Sequence, residues 1–176
     1  MHASPDVTPS SSDLADGTPW WRELSSYQWF VFLVASLGWL FDTMDQQLFN
    51  LARKPAVTQL LSGTTPASPA DVAYYSGVTT CIFMIGWATG GIFFGILGDK
   101  LGRAKTMMLT ILTYSAFTGL SAISRGVWDF SFYRFLTGLG VGGQFAVGVS
   151  LVAEVMSDRA RPHALGWLQA LSAVGN

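Results

Sequence analysis

A single cysteine, Cys81, stands among the 176 residues, and it lies inside an apolar run. One cysteine supports neither a disulfide framework nor a cysteine-built metal cluster, so a stapled secreted scaffold is excluded. Cys81 reads as a small buried apolar side chain. Charge is scarce as well. Asp, Glu, Lys and Arg make up 12% of the chain, against about 25% in ordinary soluble domains. No nucleophile–base pair, phosphate loop or metal-ligand cluster is legible, so neither an enzyme nor a cofactor is expected. The N-terminus lacks the basic start and apolar core of a secretory signal. Met1 to Pro19 is rich in Ser, Pro, Thr and Asp and reads as a disordered tail.

What is present is apolar sequence in long runs. Half the residues are hydrophobic, and the runs show no amphipathic spacing, which marks an integral membrane protein. Ala73 to Leu97 contains no charge, nor does Thr106 to Ser124. Each run crosses a hydrocarbon core of about 30 Å as a helix. The spacing predicts an all-α transmembrane chain with spans over 28–50, 73–97, 106–124 and 130–156. A fifth begins at His163 and breaks off at Asn176. Five spans in mid-run predict a piece of a longer protein. Trp20, Trp21, Tyr27 and Trp29 gather around Arg22 and suit the headgroup layer, so 1–27 is expected to be a cytoplasmic tail with an interfacial segment.

Between the second and third spans stand eleven residues, Gly95-Ile-Leu-Gly98-Asp99-Lys100-Leu-Gly102-Arg103-Ala-Lys105, with three cations, one anion and three glycines. Basic residues in a short loop mark the cytoplasmic side. Arg22, Lys100, Arg103, Lys105, Arg159 and Arg161 then lie inside, and Arg53, Lys54 and Arg125 outside, so the N-terminus is expected to be cytoplasmic. Glu154 falls at the cytoplasmic end of the fourth span. It is placed to join Asp99 and Arg103 in a charge cluster or to stand as a solvated helix end. His163 reads as a solvated surface side chain.

Charges inside a span are costly and mark a pathway or a pair. Asp42 and Asp45 are three apart on the first span and share a face, which Gln46 and Phe49 extend. Asp45 lies eight residues from Arg53, about 12 Å along the helix, and Arg134 lies nine from Arg125, about 13 Å. The two therefore share a layer. Either the carboxylate couples its protonation to a substrate, or the two lock a pair of helices. The fourth span continues with Gly138, Gly140, Gly142, Gly143 and Gln144. Gly138-x-Gly140-x-x-Gly143 matches a dinucleotide fingerprint by letter only, because it does not follow a strand. Close helix packing is the reading kept, as for Gly86/Gly90 and Gly91/Gly95 in the second span.

The loop pattern resembles the signature of the major facilitator superfamily between its second and third spans, with Ala104 where relatives usually carry a base. Phe41-Asp42-Thr-Met-Asp45, the Arg134–Gln144 stretch, and Leu151-Val-Ala-Glu154 with Arg161 resemble its metabolite:proton and sugar:proton symporters. Gln144 stands where many metabolite symporters carry Glu, and the usual proline after Glu154 is absent. The resemblance covers about residues 28–176. It implies the N-terminal part of a twelve-helix fold, with alternating access to a small polar metabolite (an organic acid or a sugar) at the midplane. It makes Asp45 the proton-accepting carboxylate and Arg134 its partner, with Asp42, Gln46 and Gln144 nearby. It sets Gly95, Gly98, Asp99, Lys100, Gly102, Arg103, Lys105, Glu154 and Arg161 at the cytoplasmic gate. The partners implied are lipid, substrate, a proton and a missing C-terminal half, and the place a bacterial plasma membrane. A truncated product that does not transport, or a half that associates with other helices, is the rival expectation.

Overall fold

The computed structural model describes residues 20–22, 24–62 and 68–175. Their regular elements are a 3-10 turn at Trp20–Arg22 and the helices α1 (Ser26–Leu61), α2 (Pro69–Leu101), α3 (Arg103–Ser121), α4 (Val127–Val155) and α5 (Arg161–Gly175). The tail expected over 1–19, and Gly63 and Pro66 of the polar loop, lie outside the described residues.

The starts of the first three helices have local causes. Ser25 and Gln28 close a capping box: the Ser25 hydroxyl accepts from the Gln28 N–H at 3.3 Å, and the Gln28 side chain accepts from the Ser25 N–H at 2.8 Å. Ser68 caps α2, Pro69 fills its first turn and Asp71 favours the N-terminal end of the helix dipole. α2 and α3 are joined by one residue. Gly102 has φ 92° and ψ 141°, a conformation closed to L side chains, so the turn needs glycine there.

α1 runs eleven residues past the expected end at Asn50, straight through Pro55. Proline removes the donor to the Leu51 carbonyl and crowds that carbonyl with its ring. Beyond it, Thr58 Oγ1 donates to the Lys54 carbonyl at 2.9 Å and Ser62 Oγ to the Thr58 carbonyl at 2.6 Å. Val57, fully buried with Phe49 and Phe130, anchors this extension. Tertiary packing overrides the proline.

The centre of the bundle is the seam between α2 and α4, which pack more extensively than any other pair. Four glycines make it possible. A methyl at Gly86 would collide with the Phe135 carbonyl, at Gly90 with that of Leu139, at Gly138 with that of Phe83, and at Gly142 with that of Trp87. Gly140 faces α3 instead, where a Cβ would lie 2.7 Å from the Tyr114 nitrogen. In lipid no hydrophobic effect draws helices together, so this close backbone approach supplies van der Waals contact. Thr79 and Ser131 add a hydroxyl bond of 2.9 Å across the same seam. Gly91 and Gly95 share no such role: Gly95 meets nothing within 4 Å.

Around the seam, Phe94, Met107, Val147, Val152 and Leu168 form the larger apolar core, toward the Gly102 end. The outer surface is apolar in stripes, Phe30, Leu33, Leu37, Phe41 and Leu48 on α1 and Met84, Ile85, Ile92 and Phe93 on α2. Such patches fit lipid rather than water, and α2 and α4 are each long and apolar enough to cross a membrane. Cys81, expected to be buried, is exposed on α2. None of the five helices covers that face, and a thiol is apolar enough to meet acyl chains.

Candidate functional site

Two clefts flank α1, and Phe49 is a wall of both. The larger, about 620 Å3, lies between α1, α3 and α4 toward the Ser124 end, with Asp45, Thr118, Ser121, Arg125 and Arg134 among its lining. The smaller, about 290 Å3, is a slot between α1 and α2 that includes Gln46, Asn50, Thr80, Phe83 and Trp87.

Arg134 is 3% exposed, yet its Nε and Nη2 have no hydrogen-bond partner. Its guanidinium lies 3.7 Å from the centroid of the Phe49 ring and 5.2 Å from that of Phe83. A desolvated cation over aromatic faces gains about 2 kcal/mol from ring quadrupoles. That offsets part of a burial cost of several kcal/mol per ion. Asp45 is half-buried in the same cleft and interacts with Arg134 through space rather than as a bonded ion pair. The cation therefore rests on rings with donors to spare, beside a carboxylate it does not grip.

The remaining expected site residues are dispersed. Asp42 is 2% exposed and faces the Tyr114 side chain of α3, without a hydrogen bond of good geometry to either carboxylate oxygen. It lines neither cleft. Gln144 is equally buried and unbonded, against Gly38 and a water-sized cavity bounded by Trp39, Met107 and Phe145. Gln46 turns into the slot. The separation follows from helical geometry: neighbours such as Asp45 and Gln46 point about 100° apart, and α1 has packing partners on several sides. The three-residue spacing of Asp42 and Asp45 puts them on adjacent turns, but only Asp45 reaches the cleft. Asn50, Thr80, Phe83 and Trp87 were not among the expected site residues. The signal was the spacing i, i+3, i+4, i+7, which occurs at 46, 49, 50, 53 and again at 80, 83, 84, 87.

At the Gly102 end, one guanidinium ties three places. Arg103 donates through Nε to Glu154 at 2.9 Å, through Nη2 to Asp99, and through Nη1 to the Gly95 carbonyl at 3.4 Å. Gly98 leaves room for it, since a Cβ there would lie 3.0 Å from Arg103 Nη1. Arg161 closes the end of α4, donating to the Ala153 carbonyl at 2.7 Å and the Met156 carbonyl at 3.5 Å and pairing with Asp158 at 3.0 Å. Lys100 and Lys105 are exposed. His163 is exposed at the start of α5, with the Trp20 ring stacked on it at 5.7 Å. No group of three metal-capable side chains occurs among the described residues.

Residues 26–176 match the family model described as "Sugar (and other) transporter". The chain is 34% identical over 151 residues to a Haemophilus influenzae protein named for metabolite transport, covering 83% of this chain and 35% of that one. It is 35% identical over 156 residues to a Cupriavidus pinatubonensis protein named for 4-methylmuconolactone transport (89% and 34%). It is 33% identical over 142 residues to a Bacillus subtilis protein named for niacin/nicotinamide transport (81% and 33%). The chain spans about a third of the length of the curated relatives it matches.

Proposed function

Because the chain belongs to the sugar (and other) transporter family of the major facilitator superfamily, a family of membrane transporters and not of enzymes, we propose that it works as the first part of a proton-coupled symporter. It would assemble with further helices and carry a small polar metabolite by alternating access. The Gly102 turn and the N-terminus face the cytoplasm, and the membrane is a bacterial plasma membrane, in keeping with the bacterial relatives.

One observation carries this reading. Asp45 and the unsatisfied Arg134 share a cleft without a bonded ion pair. A structural lock would close that pair, since an open buried charge costs several kcal/mol. A coupling site needs a cation free to exchange partners as its carboxylate gains and loses a proton. The substrate readings follow the relatives' names: ring compounds bearing a carboxylate or lactone, with sugars as the second class.

The test is uptake in proteoliposomes. Asp45→Asn keeps shape but cannot cycle a proton. It should abolish accumulation driven by a pH gradient and leave exchange at equal concentrations. Arg134→Lys should also fail, because lysine lacks the planar fork that stacks on Phe49. Accumulation by Asp45→Asn as strong as that of the parent would assign the proton to another group.

A further inference from the structure

Four helices meet at a small hole in the larger apolar core. Trp39 of α1, Met107 of α3, Gln144 and Gly148 of α4 and Leu168 of α5 bound a cavity of about 10 Å3. One water molecule needs about 10–15 Å3 of such space and two to four polar partners. The side chains around the hole are apolar except for two. Gln144 is 3% exposed, and neither its Oε1 nor its Nε2 has a hydrogen-bond partner. Trp39 Nε1 is likewise buried and unbonded. A buried donor or acceptor left bare loses its full hydration, and the hydrocarbon outside the bundle returns none of it. Two glycines shape the place. A Cβ at Gly38 would lie 2.5 Å from Gln144 Nε2, so α1 leaves out a side chain beside Trp39 and the amide rests against its backbone. Gly148 is buried, yet a Cβ there would meet no atom within 4 Å.

We propose that this cavity binds one water molecule, held between the Trp39 indole N–H and the Gln144 amide. An indole only donates. The water therefore accepts from Trp39 Nε1, and it gives a hydrogen to Gln144 Oε1 or accepts a second one from Nε2. A metal cation is the wrong occupant. The indole presents a hydrogen, and one amide oxygen falls far short of the six or more oxygens that calcium or magnesium takes. A dry hole is the wrong reading too, because cavities that stay empty are lined by apolar atoms. The water stands in for a direct hydrogen bond between α1 and α4 and fixes the register of one on the other. The α2–α4 seam needs no such pin, since its glycines bring backbone onto backbone. α1 and α4 are also the helices that carry Asp45 and Arg134. The water lies well away from that pair: Trp39 is six residues from Asp45, about 9 Å, and Gln144 is ten from Arg134, about 15 Å.

The test is nuclear magnetic resonance on the whole protein in lipid nanodiscs, with isotope-labelled tryptophan. The indole signal that is lost in Trp39→Phe identifies Trp39. In the parent, its Nε1 hydrogen should show a nuclear Overhauser cross-peak to water, with the sign of a long-lived contact. Gln144→Met keeps the volume and removes both amide atoms, so the cross-peak should be lost while the other indole signals hold their positions, which shows that the variant is folded. Gly148→Ala gives a second, independent readout. Alanine suits a helix better than glycine, so filling a dry hole would raise the melting temperature. Evicting a bound water leaves the indole and the amide bare, so the melting temperature should instead fall below that of the parent. No water cross-peak at Trp39 in the parent, an unchanged cross-peak in Gln144→Met, or a Gly148→Ala variant that melts at or above the parent overturns the assignment.

Discussion

The Arg134 guanidinium lies 3.7 Å from the centre of the Phe49 ring, and Phe49 is a wall shared by the two clefts that flank α1. This ring gives the buried cation the closer of its two aromatic contacts, the other being Phe83 at 5.2 Å. Any movement of the Phe49 ring therefore changes the seat of Arg134.

Phe49→Leu keeps apolar bulk and removes the π face. The cation loses a contact worth about 0.5–2 kcal/mol. The expected result is transport that leaks: exchange at equal concentrations continues, and accumulation per unit of pH gradient falls several-fold. Counterflow and gradient-driven uptake measured on the same proteoliposomes check it. Equal losses in both assays would mean that the ring serves only packing.

Much of this arrangement was legible in the residues, and the exceptions have reasons. Helical rise alone put Asp45 and Arg134 in one layer, because depth is linear in residue number. Rotation about the axis was not legible for α1, since it depends on which helices surround it. Asp42, Asp45 and Gln46 were grouped by their spacing on one helix and Gln144 was added by resemblance, and the four face different surroundings. The seam glycines were legible as close packing, but sequence could not separate Gly86 and Gly90, which touch α4, from Gly95, which meets nothing. The first span read as ending at Asn50, where the apolar run gives way to polar residues, because the burial of Val57 that keeps the helix going is not a local signal.

The seam gives a paired stability test. Gly142→Val would drive a side chain into the Trp87 carbonyl. Overpacking of this kind costs about 1–3 kcal/mol, and α2 and α4 cannot separate without losing their other contacts. Gly95→Ala meets open space, and alanine in a helix gains about 0.5–1 kcal/mol over glycine. In detergent, thermal unfolding should show Gly142→Val well below the parent and Gly95→Ala equal to it or above. Equal melting of the two variants would refute the seam as the organising contact.

Arg103 separates stability from rate. Its partners Asp99 and Glu154 are 65% and 55% exposed, and exposed pairs contribute about 0–1 kcal/mol. Asp99→Asn and Glu154→Gln should therefore leave thermal stability almost unchanged. If the cluster holds one conformation at the cytoplasmic face, each should still slow transport, and Arg103→Lys should slow it as well, because an ammonium cannot reach Asp99, Glu154 and the Gly95 carbonyl at once. Parent rates in all three variants would leave the loop with a topological role only.

Orientation underlies every statement about sides, and a labelling experiment decides it. By the positive-inside rule the Gly102 turn is expected in the cytoplasm. Ala104 is exposed there, and Ser124, which stands in the turn before α4, lies at the opposite end of the bundle. Cys81 is exposed on α2 and must first be replaced by serine so that it does not contribute signal. In that background, Ala104→Cys should resist a membrane-impermeant maleimide in intact cells and react once the cells are broken. Ser124→Cys should react in both conditions. The reverse pattern would put Arg103, Glu154 and Arg161 outside and open the Asp45–Arg134 cleft toward the cytoplasm. The proton would then enter from the wrong side for uptake, and the symport reading would give way to export.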